Sequence, residues 1–331
     1  MPGKSQFNIL IVVTPHFNVL ATMGFLDPFR AANYLEGQVR FRWQIASEAG
    51  GCCLASNGTE LTTQPLPEDR FDLVVVSSSW TPERHSTPAL HSALRRWARQ
   101  GTTLAALDTG AFILAEAGLL ANKRATVHYE HIDAFGETHP ECEVSEELFV
   151  FDGNRLTCAG GSASTDFALN ILRGLEGDAL ANDAARYILH QSVRPMGSPQ
   201  NAAPVEPLGN TAPGSVRRAI SIMEKNLETP VSISDICRQA RISHRQLNRL
   251  FRDYVKKTPQ LYYRDIRLDR ARGLVTQTEM PLSEVAIASG FASQVHFSRA
   301  YKARFGLPPL KDRIEGRVPF EFRAWPMHRK A

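Results

Sequence analysis

"LAALDTGAFILAEAGLL", residues 104–120, decides how the first half of this chain is built. A short apolar run enters a tight turn at Asp108-Thr109-Gly110 and leaves as an amphipathic helix. A strand, turn and helix in that order lift one side chain out at the end of a sheet, where many enzymes place a nucleophile. Here the lifted residue is Asp108. Three roles are open to it. It can cap the helix that starts near Gly110, where backbone N–H groups and the dipole favour an anion. It can anchor a cationic ligand, or it can catalyse.

Outward from the turn, "FNILIVV" (7–13), "FRWQIAS" (41–47), "FDLVVVSSS" (71–79) and "TTLAALD" (102–108) read as strands rich in branched residues. Residues 20–35 and 86–100 between them carry apolar side chains at helical spacing. Near-continuous apolar strands alternating with helices imply a parallel sheet covered on both faces. "LFVFDGNRLTCAG" turns at Asp152-Gly153-Asn154 as a hairpin, and helices follow at 164–175 and 179–191. The expectation is a three-layer, parallel-sheet α/β domain over residues 1–196, with its site beyond the carboxyl ends of the strands.

"GSPQNAAPVEPLGNTAPGS" (197–215) is rich in proline and glycine, has no periodicity, and reads as a linker. Beyond it, over 216–331, every pattern is helical. "SDICRQARISHRQLNRLFRDYVKKTP" (234–259) lines up with "SEVAIASGFASQVHFSRAYKARFGLPP" (283–309), with one extra residue in the second turn. Two helix-turn-helix units joined by the basic helix 261–277 are the natural reading: an all-α double unit. Charge divides the same way. From Ser215 onward there are 23 Lys and Arg against 11 Asp and Glu, whereas the preceding residues are net acidic. A basic module of that size is the footprint of nucleic-acid binding.

The second helix of such a unit lies in the major groove. Ser243, His244, Arg245, Gln246, Asn248 and Arg249 of the first unit are therefore expected at base edges. So are Ser293, Gln294, Val295, His296 and Arg299 of the second. Arg252, Lys256, Lys257, Lys302 and Arg304 lie further along and are expected at phosphates. Gly290 tolerates a left-handed turn in the second unit. Arg241 occupies that place in the first, at a cost of roughly 1 kcal/mol if its backbone is left-handed.

With both copies and the joining helix in place, "GFASQVHFSRAYKARFG" and "TPQLYYRDIRLDRAR" resemble the DNA-binding module of AraC/XylS-type transcriptional regulators over residues 216–314. That family usually closes the module with P-x-x-Y-R, and here "PLKDR" puts Asp312 at the aromatic position. The resemblance implies promoter DNA as partner, a homodimer, RNA polymerase as a further partner, and activation more often than repression.

Residues 7–192 resemble the class I glutamine amidotransferase-like superfamily of PfpI type. The resemblance rests on "FDLVVVSSS", "LDTGAFILAEAGLL", "ATVHYEH" and "LTCAGGSASTDFALNIL". Enzymes of that group pair an elbow cysteine with a histidine. His128 holds the histidine place, but the elbow residue is Asp108, and a carboxylate is a far poorer nucleophile than a thiolate. Cys158 lies in another segment. Thiol catalysis is therefore not expected. Asp108, Thr109, His128, Tyr129, Phe17 and Trp80 would instead form a ligand site, with aromatic faces and one carboxylate suited to an ammonium group. Thr14, Thr109 and the amides near Gly161-Ser162 would hold a carboxylate. A small nitrogen-containing effector, an amino acid or a betaine-like compound, is implied by the resemblance alone. Two rivals stand beside this sensor: a hydrolase or glyoxalase-like enzyme fused to a DNA-binding module, and an architectural DNA binder with an inert first domain.

Other classes find no support. Five cysteines without a C-x-x-C pair suit a reducing cytoplasm. No run of about 18 apolar residues or secretory leader is present, so neither a membrane nor export is expected. No P-loop or G-x-G-x-x-G stands between a strand and a helix, so no nucleotide cofactor is expected. "HYEH" offers too few ligands for a metal.

Overall fold

A computed structural model describes residues 6–200 and 213–315. The chain divides into two compact units, Met1–Gln200 and Asn201–Ala331.

The first unit runs β1 (Phe7–Val13), α1 (Val19–Glu36), β2 (Phe41–Ala46), β3 (Ala49–Leu54), β4 (Glu60–Pro65) and β5 (Leu73–Ser78). It continues through α2 (Pro82–His85), α3 (Pro88–Arg99), β6 (Thr103–Asp108), α4 (Gly110–Glu116) and β7 (Arg124–Ala125). After these come α5 (Ile132–Thr138), β8 (Glu143–Val144), β9 (Phe149–Asp152), β10 (Arg155–Cys158), α6 (Ala163–Glu176) and α7 (Asp178–Tyr187). Eight strands form one sheet in the order β3-β4-β2-β1-β5-β6-β10-β9. Every pairing from β4 to β10 is parallel, while β3 and β9 close the two edges antiparallel.

Alternation explains why these apolar runs become central strands. Ile9, Ile11 and Val13 enter one core with α1 and α6, while Leu10 and Val12 enter the other with α3 and α4. Both faces are thus covered, as a parallel sheet requires. Gly153 (φ +62°) makes the two-residue turn between β9 and β10 possible. The hairpin β3–β4 has no counterpart in the sequence reading. α7 also stops four residues short of the expected 191, at Tyr187, with Leu189 left-handed two residues on.

Past α7 the chain remains attached. Asp166, wholly buried on α6, accepts from the Arg194 amide and Nε at 2.8 Å each and from His190 Nε2 at 2.7 Å. Leu148 N donates to Ser198 O at 2.8 Å, and Gln200 N to Glu146 O at 2.9 Å. The Gln200 amide group donates to Thr126 Oγ1 and Val127 O at 2.9 and 2.8 Å. Residues 197–200 thus pack on the first unit, 201–212 of the expected linker lie outside the described residues, and Gly214 and Ser215 open the next helix.

The second unit contains α8 (Gly214–Glu224), α9 (Ile233–Ala240), α10 (His244–Leu250), a π-turn over Phe251–Val255, α11 (Pro259–Gln277), α12 (Leu282–Ala288), α13 (Gln294–Phe305) and α14 (Pro309–Glu315). Two cores lie along α11. Tyr263 joins Val216, Ile236, Leu247 and Phe251 in the first, and Leu268 and Leu274 join Val285, Phe297 and Tyr301 in the second.

Polar contacts fix the two halves to each other. Asp265, nearly buried on α11, pairs with Lys257 at 2.6 Å and Arg304 at 3.0 Å. Arg267 donates to Gly290 O at 2.8 Å and lies over the rings of Tyr263 and Phe291. Where the family usually carries the closing aromatic, Asp312 is buried, accepting from Arg272 Nε at 2.9 Å and from the Tyr301 hydroxyl at 2.8 Å. An ion pair with a phenol does the closing, and burial beside Asp312 pushes the Tyr301 hydroxyl pKa well up.

Candidate ligand site and nucleic-acid interface

Three non-glycine residues with left-handed backbone stand where the central strands of the first unit end. His16 (φ +63°) follows β1, Thr81 (φ +53°) follows β5, and Asp108 (φ +59°) ends β6. Each such residue costs about 1–3 kcal/mol and tends to collect where function needs it. Two glycines let the elbow close. A Cβ on Gly110 would lie 2.3 Å from Val76 O, and one on Gly160 would lie 2.8 Å from Asp108 Cβ.

Asp108 is 4% exposed. Asn18 uses its Oδ1 to cap α1 at Ala21 N, which turns its Nδ2 towards Asp108 Oδ2 at 3.0 Å. Burial pushes the Asp108 carboxyl above the usual carboxylate range. The nearby His128 charge and hydrogen bonds from Asn18 and Ser79 pull the other way. The N-cap of α4 is Thr109, which makes no side-chain cap bond, and the Asp108 carboxylate is met by Asn18. His128, with its side chain 30% exposed, acts on this carboxyl through its charge and packs against half-exposed Tyr129, ring centroids 4.5 Å apart and planes tilted by 39°.

Other expected members fall differently. Phe17 is fully buried in the core with Val13 and Phe25, so its face is taken by packing, a correction to its expected place in the site. Thr109 is fully buried too, and its hydroxyl donates to Ser79 O at 2.6 Å. Thr14 donates to Ser78 Oγ at 2.8 Å. Neither hydroxyl has a proton left for a ligand carboxylate. Trp80 is half-buried and stacks on His16, centroids 6.3 Å apart, with His85 6.4 Å from His16. The two histidines were missed in the sequence; the place of His16 just past β1 was the available signal, while His85 closes α2 and had none. A groove between α7 and residues 189–193 is ringed by Arg173, Arg186 and His190, each already matched to an Asp: Asp178, Asp183 and Asp166.

In the second unit α10 and α13 present matching faces. Leu247 and Phe297 point inward, and Arg245, Arg249, Gln294, His296, Arg299 and Lys302 are exposed. Ser243 and Gln246 form a capping box, and Asn248 Nδ2 donates to His244 O at 3.0 Å. Ser293 caps α13 through His296 N. Lys257 and Arg304, expected at phosphates, are held by Asp265 and Asp269. Both Arg241 and Gly290 are left-handed, so the first helices of the two units end alike and Arg241 carries the strain, although the first turn is one residue shorter.

Two comparisons bear on this architecture. Residues 8–174 match the DJ-1/PfpI family, and residues 236–313 match a helix-turn-helix domain. The HTH-type transcriptional regulator CdhR of Pseudomonas aeruginosa is 38% identical over 304 residues, 91% of this chain and 90% of that protein. The chain belongs to the AraC-type transcriptional regulators that carry a DJ-1/PfpI domain. GlxA of Rhizobium meliloti, another HTH-type regulator, is 32% identical over 93% of this chain and 95% of its own length. A solved AraC family regulator from Pseudomonas putida aligns at 26% identity and TM-score 0.50, covering 55% of this chain and 99% of that one. Among the described residues no helix of this regulator is long and apolar enough to cross a membrane.

The regulator's elbow should show in its pH dependence. A carboxyl whose folded pKa is raised stabilises the fold fully only below its unfolded pKa, and that contribution is lost as pH rises through the folded value. Asp108→Asn keeps the shape and removes the titration. The variant should melt above the wild type at neutral pH, the gap closing on acidification towards the ordinary carboxylate range. Thermal melts from pH 4 to 8 test this, and a gap independent of pH would exclude the raised pKa.

Proposed function

We propose that the first unit of this regulator is a metabolite sensor and not an enzyme, and that its ligand is small and carries a cationic nitrogen. The observation behind this reading is the buried elbow carboxylate beside His128. A charge removed from water calls for a partner, and Asp108 has the amide of Asn18, the Ser79 hydroxyl and the neighbouring His128 but, among the described residues, no salt bridge. Half-exposed Tyr129, which packs at a tilt against His128, offers a cation–π face, a contact worth about 0.5–2 kcal/mol. At the other pole the amides of Gly161 and Ser162 make no hydrogen bond among the described residues, leaving room for a carboxylate. An amino acid or a betaine-like compound has both ends.

Against catalysis stands the chemistry of the only thiol beside the elbow. Cys158 is buried at the end of β10, and burial pushes its pKa up to about 12. A thiol so placed is no nucleophile at neutral pH. In the second unit, α10 and α13 enter the major groove of promoter DNA, with Arg245, Arg249 and Arg299 at base edges and Lys302 at phosphate. The protein acts as a cytoplasmic homodimer that activates transcription through RNA polymerase.

Thermal melts of the full chain against amino acids, betaines and polyamines test the sensor. A ligand at 100 times its Kd adds about 2.7 kcal/mol, and that shift should vanish in Asp108→Asn. Silence from a well-folded wild type, or turnover of a compound that produces a shift, would overturn the reading.

A further inference from the structure

An offset of fifty residues carries α10 onto α13, and it separates what the two reading helices share from what they do not. Shared are the serine caps, Ser243 and Ser293, and the buried anchors, Leu247 and Phe297. The sharpest difference falls at the second helical residue, where Arg245 in the first unit stands against Val295 in the second.

The surroundings make that difference readable. In α10 the capping box occupies Ser243 and Gln246, and His244 and Asn248 bond each other. Arg245 makes no side-chain hydrogen bond among the described residues and is exposed. Val295 stands 59% exposed between Gln294 and His296, an isopropyl group in the middle of a polar face. It supports neither core of the module. Burying it against an apolar group is favourable, and in the major groove the one apolar group that a base edge displays is the thymine 5-methyl. A guanidinium in the matching place suits the O6 and N7 acceptors of guanine.

We propose that the two units read unlike base chemistry, Arg245 taking a guanine edge and Val295 packing on a thymine methyl. The contacts of Asp265, Arg267 and Gly290 fix the order of the units, so one chain binds a directional site, guanine-anchored at one end and thymine-anchored at the other. This rests on the placement of α10 and α13 in the groove.

The test starts from a site selected from random DNA by the full-length protein. Each thymine is then replaced singly by deoxyuridine, which removes only the methyl group. Wild type should lose about fourfold in affinity at one thymine, the worth of one buried methyl-sized group. Val295→Ala should lose affinity on the parent site and be indifferent to the deoxyuridine at that position. Arg245→Ala should relax the preference for one guanine in the other half while leaving the deoxyuridine effect intact. Wild type insensitive to every deoxyuridine, or Val295→Ala as sensitive as wild type, would overturn the proposal. If Arg245→Ala and Arg299→Ala both bind the parent site normally, the groove placement itself fails, a result distinguishable from the first.

Discussion

Replacing Gly290 by alanine should destabilise the DNA-binding module by about 3 kcal/mol or more, whereas Arg241→Gly at the matching place in the first unit should stabilise it by up to about 1 kcal/mol. Both residues are left-handed, so backbone strain alone would treat them alike. Their surroundings do not. A Cβ on Gly290 would lie 2.4 Å from Leu227 O and 2.5 Å from Pro230 Cγ, in the connection between α8 and α9. Backbone cannot move aside as a flexible side chain can, so the second turn must lift away from the first unit's loop. Arg241 is exposed, and its side chain gives up no packing when removed. Calorimetry of the full chain should show the module's transition fall by at least about 10 °C in Gly290→Ala, with the α/β unit's transition as internal control. DNA affinity should fall with it, because Gly290 and Arg267 hold the two reading helices in one spacing. A module that melts unchanged would mean that the close approach is relieved at little cost.

The second large effect is expected at Gly110. An alanine there favours the helix by up to about 1 kcal/mol, but its Cβ would enter the carbonyl of Val76, on the strand beside the elbow. Overlap with a central strand should outweigh propensity and cost the α/β unit about 3 kcal/mol net. Gly161→Ala makes the contrast. Its φ is +55°, yet nothing lies within 4 Å of the added carbon, so only the strain of about 1 kcal/mol should appear. Chemical denaturation of the two variants separates them, and equal losses would show that backbone conformation, not contact, governs the elbow.

Where the sequence could be read, local chemistry was enough. β1, β5 and β6 are apolar on both faces, and the turn at Asp108-Thr109-Gly110 has the elbow's strand, apex and glycine in order. The repeat in the second half places both cores and both caps, because Leu247, Phe297, Ser243 and Ser293 are set by helical spacing alone. What escaped depends on partners far along the chain. β3 and β4 show burial patterns with a single buried residue each, so no alternation marked them, and the ladder between them holds them instead. Phe17 and His16 are neighbours after the same strand, and only the fold decides that the phenyl ring turns into the core while the imidazole meets Trp80. Lys257 and Arg304 look like phosphate contacts until Asp265 and Asp269 arrive from α11.

The last stitches of the first unit have a mechanical meaning. Gln200 hangs on Thr126 and Val127, the two residues immediately before His128. The last described residue of the first unit is therefore tied beside His128 and not to a distant corner of the domain. A displacement of Gln200 reaches His128 within a few bonds. On the proposed reading, an effector that shifts these Gln200 contacts is held more or less tightly as the contacts are made or broken, since coupling between two equilibria is reciprocal.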